Sequence, residues 1–180
     1  MAQIRTKHDL GLSLARKNAL AEFHRALHKF AVDPGMISAF PQMLKLSAER
    51  ALGAHPYFVP VEHTPIARKT LGPEALLAVE QAVTLGTDVA MAREVARKHM
   101  KRYLDLDNYT NNLRRLGWVD ADLGSGGSDK LVDAIVAHGD PGAIKARVDA
   151  HRAGGADHLC LQVLGNDIPG QLRRLAKTLL

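Results

Sequence analysis

The chain has 180 residues, 46% of them apolar and 24% charged, with a formal net charge of +5. That length suits one domain with a core of its own, and no window approaches the ~20 uninterrupted apolar residues of a membrane span. Basic residues fall in pairs such as Arg114-Arg115 and Arg173-Arg174 among carboxylates, and only 4% of residues are aromatic, so nucleic acid is not an expected partner.

The opening MAQIRTKHDL lacks the apolar centre of a secretion signal, and the single cysteine, Cys160, allows no internal disulfide; both fit the cytoplasm. DLGLSLA is a short strand candidate. NALAEFHRALHKFAV is helical, with Leu20, Phe23, Leu27 and Phe30 on one face, and Asp33-Pro34-Gly35 stops it. MISAF reads as a strand. Pro41 suits the first turn of a helix through PQMLKLSAERAL, and Gly53 is placed to end it. AHPYFVPV, rich in β-branched and aromatic residues, reads as a strand running into a loop, and EHTPIARKTLGPE as a connection with a short helical turn.

ALLAVEQAVTL is a nearly continuous apolar run, as in a parallel strand covered on both faces. Thr87 or Asp88 caps the helix VAMAREVARKHMKRYL, whose Val89, Ala92, Val95, Ala96, Met100 and Tyr103 make one stripe. DLDNYTNNLRRLGW is partly helical, and VDADLGSGGS is a Gly/Ser loop. Ser128 then caps the helix DKLVDAIVAHG, and Asp140-Pro141 opens GAIKARVDAHRAG. ADHLCLQV follows as a buried strand in which Cys160 packs as a small hydrophobe. DIPGQLRRLAKTLL closes the chain as an amphipathic helix with Leu172, Leu175 and Leu179 inward. Strand and helix alternate with short Gly/Pro punctuation, which predicts an α/β fold of parallel strands with helices outside.

GAHPYFVPVEHT, LGPEALLAVEQAV, NYTNNLRRLGW, GGSDKLVDAIVAHGD and AGGADHLCLQVL, taken in this order, resemble the C-terminal half of the luciferase-like monooxygenase superfamily, in its deazaflavin branch of F420-dependent oxidoreductases. The resemblance runs from about Met36 to Leu180. It implies a (β/α)₈ barrel that binds coenzyme F420, or alternatively FMN, at the C-terminal ends of the strands and moves a hydride between the cofactor and a small organic substrate. A complete barrel takes ~250 residues and eight strands, against roughly five strand candidates here, so the expected fold is a partial (β/α)₈ barrel with its N-terminal strands missing or reduced. The implied division is a divergent helical segment, 1–35, and the barrel portion, 36–180.

The site this implies lies at strand ends: Ser38, Ala39 and Phe40 after MISAF, then His55 and Tyr57, with Gln162 and Gly165 at the last strand. Ser38, Ala39, Phe40, His55 and Tyr57 are the cofactor-binding candidates. Relatives usually carry glycine where Phe40 stands, before the proline, and a phenyl ring there crowds the cofactor's phosphate. His55 and Tyr57 can donate to a phosphate or to a ring carbonyl. Glu80 is the one carboxylate within an apolar strand, and a nearby arginine is its expected partner. GSGGSDK lacks P-loop spacing and reads as a linker capped by Ser128. His24 and His28, four apart, form an incomplete metal site. His63, His138, His151 and His158 read as solvated or capping groups, and Trp118 as core. The alternative to an active oxidoreductase is a non-catalytic partial barrel that forms a homodimer, or pairs with a companion chain, through open strand edges.

Overall fold

The computed structural model describes residues 41–180. DLGLSLA, the helix of Leu20 to Phe30, MISAF, the His24/His28 pair and the candidates Ser38, Ala39 and Phe40 lie outside the described residues.

Helix α1 (Pro41–Arg50) buries Leu44 and Ser47. Gly53 does not end it. It belongs instead to strand β1 (Gly53–Ala54), where a Cβ would lie 1.9 Å from the carbonyl oxygen of Leu76. Glycine is needed there for close backbone approach. Of the strand expected over AHPYFVPV only Ala54 is in β1, because Pro56 has no N–H to give and Phe58 turns into the left-handed region at φ 55°. In place of the expected short turn, a nine-residue helix α2 (His63–Leu71) follows, with Pro65 in its first turn, where no amide partner is required.

Strand β2 (Leu76–Leu85) is the doubly covered strand the sequence predicts, buried at eight successive positions. Asp88 caps helix α3 (Val89–Leu104) through the Met91 amide; its Ala92, Ala96 and Met100 are buried, whereas Val89 is 45% exposed and drops out of the predicted stripe. Helix α4 (Asp107–Arg115) covers the partly helical segment, and the Gly/Ser loop contains a short helix α5 (Asp120–Leu123) and one 3₁₀ turn. Ser128 caps helix α6 (Asp129–Ile135), which ends earlier than predicted because its β-branched continuation becomes strand β3 (Val136–Gly139). Helix α7 (Pro141–Ala153), strand β4 (His158–Val163) and helix α8 (Ile168–Leu179) complete the chain. On α8 only Leu175 is fully inward; Leu172 is 46% exposed.

All strand pairs are parallel, and β2 is central. The N–H groups of Leu76, Glu80 and Gly86 donate to Leu52, Pro56 and Gly139, so β1 and β3 lie end to end along one edge of β2. The carbonyls of Leu77 and Val83 accept from Asp157 and Leu164, which puts β4 on the other edge. Arg68 and Asp157 lock that junction: Oδ2 of Asp157 accepts from the Arg68 guanidinium at 2.5 Å and from the Leu77 amide at 2.9 Å. Among the described residues β4 pairs with β2 alone, and the sheet is open.

The pleat gives β2 two different faces. Leu77, Val79, Gln81 and Val83 face α2, α7 and α8, packing with Ala67, Leu71, Ile144 and Leu175. Ala78, Glu80, Ala82 and Thr84 form the opposite face, where Ala82 packs with Phe58, Ala96, Met100 and Tyr109. We call these the α7 face and the α3 face. Among the described residues no helix is long and apolar enough to cross a membrane.

Candidate active site

The α3 face gathers the polar groups of three segments. Cys160 stands beside Glu80 and Gln162 beside Ala82 in the β2–β4 register, so both β4 side chains project to the same side as Glu80. The bend after β1 adds Tyr57, and α3 adds Tyr103. The Tyr57 hydroxyl donates to Oε1 of Gln162 at 2.7 Å and lies 2.8 Å from the Tyr103 hydroxyl. Because Tyr57 has one proton and gives it to Gln162, Tyr103 is the donor to Tyr57. The result is a directed relay, Tyr103 to Tyr57 to Gln162. Burial, reinforced by Tyr103, pushes the Tyr57 phenol far above its ordinary range, so the relay is uncharged.

Phe58 fixes this arrangement from behind. Its ring stacks on Tyr103 at 4.8 Å and meets Tyr109 edge-on at 5.6 Å, while its backbone is in the left-handed region. A buried non-glycine residue in that conformation is strained by about 1–3 kcal/mol, which the aromatic packing offsets. Oε2 of Glu80 accepts from the Phe58 amide at 3.3 Å. Among the described residues no arginine pairs with Glu80, where the sequence reading expected one, and its Oε1 is buried without a partner. Burial lifts its pKa to about 7. The same burial, with Glu80 adding to it, pushes the Cys160 thiol up to about 11, which agrees with the packing role read from the sequence.

A cleft of about 510 Å³ opens at the C-terminal ends of β2 and β4, between Thr84, Gly86, Gly165 and Asn166 on one side and Met91, Val95 and His99 on the other. His99 connects it to the relay: its ring lies 5.2 Å from that of Tyr103, and its Nε2 is buried without a partner among the described residues. Burial, with Arg102 nearby, lowers the His99 pKa and favours neutral imidazole.

Of the predicted cofactor contacts, Tyr57 enters this cluster, with Gln162 from the strand end. His55 sits at its margin, its Nδ1 donating to the Ala78 carbonyl at 2.7 Å. Gly165 lines the cleft. The sequence reading missed His99, although its place four residues before Tyr103 on one helix face was a usable signal. Of the histidines expected to be solvated or capping groups, His63 and His151 depart from that reading. His63 and His151 are buried on the α7 face, each with its pKa lowered to about 4 chiefly by burial, and His138 pairs with Asp133 at 2.9 Å. Trp118 packs partly buried at the core margin with Lys130 over its ring. Among the described residues no group of three or more His, Cys, Asp or Glu is placed to hold a metal.

Parallel strands around a fully buried centre, outer helices on the α7 face and a cleft at the strand C-termini define an open α/β sheet of the (β/α)-barrel class. An F420-dependent secondary alcohol dehydrogenase, solved with an F420-acetone adduct, shares this fold with a TM-score of 0.56 at 10% identity, over 77% of this chain and 45% of that one. The coenzyme F420 dependent tetrahydromethanopterin reductase from Methanopyrus kandleri aligns over 73% of this chain and 44% of its own, at 16% identity and a TM-score of 0.45. This chain thus spans under half the length of either. No family model and no curated protein matches it in sequence. The partial-barrel fold, and the likeness to F420-dependent proteins read from the sequence, are borne out at the level of fold.

Proposed function

We propose that this chain is the C-terminal portion of a luciferase-like oxidoreductase that moves a hydride between a deazaflavin, coenzyme F420, and an organic substrate. The observation that carries this reading is the cleft at the ends of β2 and β4, joined through His99 to the Tyr103–Tyr57–Gln162 relay. One group is available to such a cofactor: the imidazole nitrogen of His99, without a partner among the described residues, suits a carbonyl oxygen of the ring system, whereas the tyrosine protons are already given within the relay. When bound, the deazaflavin supplies the hydride acceptor or donor. His99, Thr84 and Asn166 would hold and orient it from the cleft walls, while the Tyr103–Tyr57–Gln162 relay would brace His99 from behind. Residues 36–180 are then the barrel portion and 1–35 an added segment, working in the cytoplasm.

Titrating the purified chain with F420 and with FMN, following ligand fluorescence, tests the reading. Saturable binding of F420 at micromolar concentration is the expected result. No saturable change with either ligand at high micromolar concentration overturns it. The second reading, a non-catalytic partial barrel completed by another copy, is favoured by one observation: among the described residues β4 pairs on one edge only. Light scattering on the ligand-free chain distinguishes the two, since this reading requires a dimer and no ligand response.

A further inference from the structure

Glu80 is the feature of the α3 face that the cofactor reading leaves unused. It is 5% exposed, and among the described residues no ion pair reaches it and its carboxyl takes one hydrogen bond, from the Phe58 amide, long at 3.3 Å. A long bond suits an uncharged carboxyl, since donors to a carboxylate close to ~2.7–2.9 Å. With Oε2 accepting, the proton of the neutral acid belongs on Oε1. The amide that Glu80 holds belongs to the strained Phe58, whose ring supports Tyr103, the first donor of the relay.

We propose that Glu80 is a positioning residue and proton switch for this site: uncharged, it holds the bend of residues 55–60 that sets the Tyr103–Tyr57–Gln162 relay, and its ionisation releases the bend. The physical sequence is short. Loss of the proton to solvent water leaves a lone buried charge with one donor within reach, the Phe58 amide. Drawing in that amide, or water beside it, moves the Phe58 ring and with it the Tyr103 hydroxyl. No electrons move and no other bond is broken. Among the described residues the titratable groups around Glu80 are Tyr57 from the bend, Tyr103 from α3, Cys160 and His158 from β4, and His55 beside Ala78. None of the arginines or lysines in the described ion pairs is paired with it, so titration of Glu80 itself governs the switch; burial places it near pH 7.

The inference rests on the proposed function only for its effect on cofactor binding, and the test separates the two. The full chain, its Glu80→Gln variant and its Tyr57→Phe variant are followed from pH 5 to 9 by tyrosine near-UV circular dichroism, by melting temperature and by F420 titration. The wild type is expected to show a tyrosine signal step centred near pH 7, with F420 binding weaker by about fivefold or more above it. Glu80→Gln, which keeps an oxygen for the Phe58 amide, loses both pH dependences while retaining the low-pH signal. Tyr57→Phe loses the relay's share of the step but keeps the melting-temperature slope. Superimposable pH courses for the wild type and Glu80→Gln overturn the switch. A step present in the wild type and absent in Glu80→Gln, with no F420 bound by either, supports the switch and removes the cofactor reading instead.

Discussion

Glu80 and Gln81 are neighbours on one strand, both almost fully buried, and the two faces of β2 treat them in opposite ways. On the α7 face every polar atom of Gln81 has a partner: Nε2 donates to the carbonyls of Ala82 and Ile135, and Oε1 accepts from His151 Nε2 at 2.9 Å. That fixes the His151 tautomer, so Nδ1 accepts from the Thr64 hydroxyl at 2.7 Å. On the α3 face the carboxyl of Glu80 keeps an oxygen without a partner among the described residues. A satisfied buried network specifies and holds a fold, whereas an unsatisfied group in a polar cluster marks where the molecule is built to do something other than be stable.

The faces also respond to pH with opposite signs. His63 and His151 titrate near 4 in the folded chain against 6.5 unfolded, so the unfolded state binds more protons between those values and stability falls as pH drops through them. Glu80 titrates near 7 against 4.5 unfolded. Its burial costs nothing below 4.5, costs more as pH rises, and reaches its full cost above 7.

The largest way to break the contrast is His151→Ala. It strands Gln81 Oε1 and Thr64 Oγ1 and leaves a cavity, and denaturant unfolding at pH 8 should show a loss of about 3 kcal/mol. On the other face Glu80→Gln should stabilise the chain by about 1–3 kcal/mol at pH 8.5 and hardly at all at pH 4.5, checked by the same unfolding curves. An equal gain at both pH values would erase the difference between the faces. Asp157→Asn, at the β2–β4 junction, removes the charge opposite Arg68 but keeps an oxygen for the Leu77 amide. It should cost about 1 kcal/mol, because both groups are partly exposed. The last effect is chemical rather than one of stability: at pH 8.5 Cys160 should react with a disulfide reagent about a hundredfold more slowly than in the denatured chain. Glu80→Gln should raise that rate modestly, since the glutamate adds to the burial that holds the thiol protonated.

Most of the architecture was legible because it rests on local signals. The nearly continuous apolar run of β2, the caps at Asp88, Ser128 and Asp140, and Pro141 at a helix start all mean in the structure what they mean in the sequence. What failed depended on distant partners. Gly53 carries the local sign of a helix end, but its purpose is set by the Leu76 carbonyl, 23 residues on. The Arg68–Asp157 junction spans 89 positions. For the site, the sequence pointed to Tyr57, Gln162 and Glu80 as separate candidates. That Tyr57 and Gln162 share a proton relay, while Glu80 has an amide where an arginine was expected, follows from the β2–β4 register and the Phe58 bend, and neither has a periodicity to read.

The β2–β4 pairing also determines when the sheet can form. Residues 76–85 are made about eighty positions before their partners at 158–163, and domains generally fold from the N-terminal side during synthesis. Until β4 emerges, one edge of the most apolar strand in the described chain has none of the bonds that β4 later makes, and closing so long a loop is slow. The interval between making β2 and making β4 is therefore when the nascent chain is most exposed to aggregation.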